Sequence, residues 1–136
     1  MQIVIAYFIA ALLFVGLDMV WLGAVARDIY RVEMAELMTP NVRLLPALAF
    51  YALYIFGVMF FAVLPALRGG SWMSALGTGC ILGLVAYGTY DLTNLAVVRN
   101  WPVRLTFIDL AWGTILTGLV AGGTTFIVLS LSGQKP

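Results

Sequence analysis

The chain contains no histidine and a single cysteine, Cys80. A disulfide framework, a Cys-x-x-Cys redox pair, a Cys/His zinc site and bis-histidine haem ligation are therefore excluded within one copy. Charge is scarce as well: 10% of the 136 residues are charged, where soluble domains carry about 25%. The formal net charge of +1 is too small for the basic footprint of a nucleic-acid-binding protein, so no nucleic-acid partner is expected. Nor is there a phosphate-cradling glycine loop, a nucleophile–base pair, or a close-spaced Asp-Asp-x-x-Asp run of the kind magnesium-dependent prenyl enzymes use. No cofactor and no metal are expected.

Apolar residues are what the chain has in excess. At 63% hydrophobic, it would expose large patches in water and aggregate. The lipid bilayer is its natural solvent and first partner. One crossing takes about 20 apolar residues, and four such runs stand here, at about residues 3–26, 44–67, 72–98 and 103–131. The expected fold is all-α: a polytopic integral membrane four-helix bundle, forming a single transmembrane domain over residues 1–136. The first run is read as a span and not as a signal peptide. Ala24-Val25-Ala26 resembles a cleavage site, but the run lacks a basic leading region and contains Asp18.

The largest share of the charge, six of the thirteen charged residues, lies between spans one and two. There Tyr30, Met34, Leu37 and Met38 recur at helical spacing, apart from Arg27, Asp28, Arg31 and Glu36. This pattern predicts a short amphipathic helix in the interface, stopped by Thr39-Pro40-Asn41, with a plain polar loop as the alternative. The turns after spans one and three share one side and carry Arg27, Arg31, Arg43, Arg99 and Arg104; the other side has Arg68 and Lys135. The positive-inside rule puts the arginine-rich side in the cytoplasm of a bacterial inner membrane, with both termini on the non-cytoplasmic side. Span two is uncharged and is expected to be the outer, lipid-facing wall. Gly79-x-x-x-Gly83 and Gly118-x-x-x-Gly122 predict close packing of spans three and four. Trp72 and Trp101, at span ends, are expected at the headgroup level.

Three spans carry an aspartate. A charged side chain at a helix centre costs on the order of +2.5–3.5 kcal/mol on insertion scales. At 1.5 Å per residue, Asp18 lies ~13 Å from Arg27, Asp91 ~12 Å from Arg99, and Asp109 ~8 Å from Arg104. Because successive helices alternate in direction, all three fall in the arginine-rich half of the bilayer at similar depth. Asp18-Met19-Val20-Trp21 and Asp109-Leu110-Ala111-Trp112 both read Asp-x-x-Trp, and Asp91-Leu92-Thr93-Asn94 replaces the indole with an amide. Positions three apart share a helix face, so each carboxylate has a polar neighbour on its own helix. On span three, Cys80, Gly83, Tyr87, Asp91 and Asn94 form one stripe. Turned inward, these faces make a polar pocket whose candidate ligand-binding residues are Asp18, Trp21, Tyr87, Asp91, Asn94, Asp109 and Trp112. Three carboxylates this close do not all ionise cheaply, so at least one is expected to hold its proton at pH 7.

These motifs, Asp18-x-x-Trp21-Leu22, Tyr90-Asp91-Leu92-Thr93-Asn94 and Asp109-x-x-Trp112-Gly113, resemble those of an uncharacterised bacterial family of small four-span predicted membrane proteins, grouped as a domain of unknown function. The resemblance covers essentially the whole chain. It implies an architecture and no reaction. Three kinds of function remain open. The first is binding or transport of a small cation, a proton or an amphipathic or lipid ligand. The second is lipid modification, by this chain or a membrane partner; two carboxylates with separated acidities can serve as acid and base. The third is a structural or accessory role in a homo-oligomer or larger membrane complex. Binding is preferred to catalysis.

Overall fold

A computed structural model describes residues 1–38 and 41–135. Four helices are long and apolar enough to cross a membrane: α1 (Gln2–Val25), α3 (Leu44–Leu67), α4 (Trp72–Val97) and α5 (Val103–Leu131). The short helix α2 (Arg27–Glu33) sits between the first two. No strand occurs among the described residues. The amphipathic stretch after span one coils into a helix only over Arg27–Glu33, and residues 34–37 form a turn, so of Tyr30, Met34, Leu37 and Met38 only Tyr30 lies on the helix. Of its expected stop, Thr39 and Pro40 lie outside the described residues.

Each boundary has a local cause. Ser71 caps α4: its hydroxyl accepts from the Ser74 N–H at 3.2 Å, and the Ser74 hydroxyl accepts from the Ser71 N–H at 3.0 Å. These bonds satisfy donors that the first turn leaves free. Pro102 precedes α5, and Asn100 takes a left-handed conformation (φ 59°) in the turn before it, which asparagine tolerates better than most residues. The last turn of α1, Trp21–Val25, is widened to π geometry, closed by the Ala26 N–H on the Trp21 carbonyl at 2.7 Å. A second widened turn, Met59–Val63, interrupts α3.

Helices α4 and α5 pack most closely, as their glycines require. A Cβ on Gly79 would lie 2.7 Å from the Thr117 carbonyl oxygen, and one on Gly83 would lie 2.1 Å from that of Gly113. Only hydrogen fits at such separations. α5 is the central helix, with buried residues along its length from Leu105 to Leu129. α1 sets Ala6, Ala10, Phe14 and Asp18 against the bundle interior at four-residue spacing. The apolar core occupies the half of the bundle near the termini: Ala6, Ala10, Val58, Ala62, Val63, Leu116, Val120 and Val128 are all buried there. Gln2 and Ser132 hydrogen-bond at 3.0 Å, so both termini stand at one end. The opposite half, toward the arginine-rich turns, is not filled in the same way.

Candidate functional site

In that half the helices enclose a cavity of about 460 Å³. Every helix contributes to it: Asp18 and Leu22 from α1, Tyr30 from α2, Phe50, Tyr51 and Tyr54 from α3, Ala86, Tyr87 and Tyr90 from α4, Asp109 and Trp112 from α5. Phe14, fully buried in the apolar core, packs against two of the cavity's lining residues, with its ring centroid 5.7 Å from that of Tyr51 and 5.3 Å from that of Tyr54.

Its polar chemistry rests on Asp18 and Asp109, with relative exposures of 8% and 6%. The Tyr51 hydroxyl donates to Asp18 Oδ2 at 2.6 Å, and the Trp112 Nε1–H donates to Asp18 Oδ1 at 3.3 Å. The Tyr30 hydroxyl donates to Asp109 Oδ1. Burial, and next the bond to Asp109, push the Tyr30 hydroxyl above the ordinary tyrosine range, so it remains a donor at neutral pH. Tyr54 shares a hydrogen bond of 2.9 Å with Thr117. Around the carboxylates the wall is aromatic.

Of the residues singled out from sequence, Asp18, Tyr87, Asp109 and Trp112 line this cavity. Trp21 stands behind it, its ring stacked on Trp112 with centroids 4.4 Å apart and planes within 6°. Asp91 and Asn94 lie outside the lining. Asp91 is fully buried and continues the row Ala75, Gly79, Gly83 that α4 turns toward α5; neither of its oxygens has a hydrogen-bond partner among the described residues. Partners on the same helix are replaced by partners across the bundle. Asp18 is held by Trp112 of α5 and not by Trp21, and Asp109 is held by Tyr30 of α2 and not by Trp112. Sharing a helix face brings two side chains near each other, but the rotation of packed helices decides which hydrogen bonds form.

One expectation is corrected. α3 is no outer wall, because Phe50, Tyr51 and Tyr54 form one side of the cavity. Trp101, in the turn at a span end, is buried, donating to the Thr106 hydroxyl at 3.0 Å and meeting Tyr90 edge-on at 5.7 Å. The residues missed in the sequence had one available signal. A tyrosine well inside an apolar span carries a hydroxyl that needs a partner, and Tyr51 and Tyr54 are such residues. Tyr30 is marked only by its place on the apolar face of α2.

α2 is strapped over the cavity by Tyr30 on Asp109 and, more weakly, by Arg104 to Glu33 at 3.8 Å. The arginine is exposed, so that ion pair contributes little. Tyr30→Phe is expected to free α2 alone. Amide exchange over residues 27–33 should quicken about tenfold, the equivalent of one net hydrogen bond of ~1.4 kcal/mol, while α4 and α5 stay protected. The contribution of this bond is fully present below the ordinary tyrosine value of about 10 and is lost as pH rises above it. Equal acceleration in all helices would show that the bond supports the whole bundle and not the strap.

Fold and site together define a class: a small polytopic helical membrane protein whose bundle holds an aromatic cavity carrying two carboxylates. Residues 3–126 match the family described as predicted membrane protein (DUF2177), and the chain belongs to that family. No curated protein and no solved structure matches it.

Proposed function

We propose that this protein binds a small cationic or amphipathic ligand in the cavity between its helices, within the membrane. The supporting observation is the cavity itself. It has the volume usual for small-molecule sites, mostly apolar walls and a few convergent polar groups. Ionisable groups inside spans mark ligand or ion pathways more often than not, and two of them meet here. The apolar core that packs against Tyr51 and Tyr54 through Phe14 favours binding from one side over an open pore. By the positive-inside rule that side is the cytoplasmic half of a bacterial inner membrane, reached past the arginines at the helix ends.

Ala86 offers a test that removes no polar group. It lines the cavity with a single methyl, so Ala86→Phe fills the space and leaves both carboxylates bonded as before. In experimental density maps of the full chain in native-lipid discs, the wild type is expected to show a molecule against Trp112. Ala86→Phe is expected to lose it while unfolding at a similar temperature. A wild-type cavity closed by its own side chains would overturn the reading.

A further inference from the structure

Among the described residues, two carboxylates face the cavity and no basic side chain does. Its lining contains neither arginine nor lysine, and the chain has no histidine. The Arg104–Glu33 pair involves neither Asp18 nor Asp109 and lies outside the lining. The counter-charge for Asp18 and Asp109 must therefore be a proton or a bound cation. An anionic group, by contrast, would find no partner on these walls.

The remaining chemistry narrows the kind of cation. Both oxygens of Asp18 already accept hydrogen bonds, from Tyr51 and Trp112, and one oxygen of Asp109 accepts from Tyr30. About five of the roughly eight lone-pair positions on the two carboxylates stay open, enough for a donating ammonium, so the choice among cations rests on the walls and not on hydrogen bonding. A primary ammonium brings three donors, and a calcium ion takes six to eight oxygen ligands. No metal-holding group of acidic, cysteine or histidine side chains occurs among the described residues. What the cavity offers instead is ring surface, from Tyr54, Tyr87, Tyr90, Phe50 and Trp112, and fixed negative charge. A cation without N–H groups needs only these, since ring faces and carboxylates attract it without hydrogen bonds.

We propose that the cavity takes a quaternary ammonium group, either free or as the headgroup of a lipid. This rests on the binding reading above and adds its ligand class. The full chain in discs of phosphatidylethanolamine and phosphatidylglycerol should retain radiolabelled tetraethylammonium, and choline should displace it. The neutral carbon isostere of choline, dimethylbutanol, should displace it about tenfold less well, because it lacks the charge that ring faces attract. Asp109→Asn should weaken retention about tenfold, a change of ~1.4 kcal/mol. Ala86→Phe should abolish it even if the aspartate variant fails to fold. In discs containing phosphatidylcholine, loss of the label identifies the lipid headgroup as the source, and undiminished retention identifies a free cation.

Equal displacement by the neutral alcohol, or undiminished retention in folded Asp109→Asn, would overturn the ligand class and leave an apolar binding site. So would failure of the wild type to retain the label while its density map shows a molecule in the cavity. Retention unchanged in Ala86→Phe would instead move the site elsewhere and remove the support for the binding reading.

Discussion

Gly83→Leu is expected to separate α4 from α5 and to unfold the bundle in mild detergent at temperatures the wild type survives. A Cβ at this position would meet the Gly113 carbonyl oxygen at 2.1 Å, the Thr117 hydroxyl at 2.7 Å and the Gly113 carbonyl carbon at 2.8 Å. Two of these atoms are backbone in the middle of the central helix and have no rotamer to escape into. Overpacking of this kind costs about 1–3 kcal/mol and sometimes more, and leucine adds three carbons beyond the Cβ. Gly83→Ala should already be destabilising, at about 3 kcal/mol. Alanine is normally favoured over glycine inside a helix by up to ~1 kcal/mol, so a loss here reports contact and not propensity. Gly16→Ala and Gly57→Ala are the controls. An added Cβ meets nothing within 4 Å at either, and both should be neutral or stabilising. The cavity should suffer with the seam, because Gly113 also makes room for Tyr87: a Cβ there would lie 2.1 Å from the Tyr87 ring. Thermal unfolding of the four variants tests the whole argument, and a Gly83→Ala protein as stable as Gly57→Ala would sink it.

The contrast between these glycines shows what could be read before the fold was known. The four spans follow from length and composition, because lipid demands about 20 apolar residues per crossing and this chain supplies that four times. The α4–α5 seam follows from the spacing of small residues, since no other face of those helices admits backbone that closely. The depth of Asp18 and Asp109 follows from counting residues back to the arginines. What could not be read was helix rotation. α3 carries aromatic side chains all round, from Phe50 to Phe61, and its hydrophobicity is too even to mark an inner face. The structure turns Tyr51 and Tyr54 inward, to Asp18 and Thr117, and leaves Phe56, Phe60 and Phe61 exposed. In the same way Asp91, at the depth of the others, is rotated into the α4–α5 seam. Periodicity gives the face a residue occupies on its own helix; where that face points depends on side-chain fit among all the helices.

Asp18 and Asp91 should therefore answer one substitution with opposite signs. Leucine has the branching of aspartate with carbons in place of oxygens, so it changes polarity more than shape. At position 18 the change strips the acceptor from the Tyr51 hydroxyl and the Trp112 indole. Each donor left without a partner costs about 1–3 kcal/mol, and Asp18→Leu should lose stability accordingly. Asp91 is fully buried with no hydrogen bond to either oxygen among the described residues, so Asp91→Leu strands none of them. It removes a group whose burial without a partner itself costs about 1–3 kcal/mol, and it should leave the unfolding temperature unchanged or raise it. A fall as large as that of Asp18→Leu would show that Asp91 has a structural partner after all. If stability is instead retained, Asp91 is a buried carboxyl that the fold keeps without structural need. Such residues in spans are expensive and are kept for use. Retention of labelled tetraethylammonium by the stable Asp91→Leu protein then separates its possible uses. Unchanged retention assigns Asp91 a role apart from the cavity, and altered retention places it behind the wall that Tyr87 and Asp109 form, acting on the ligand through them.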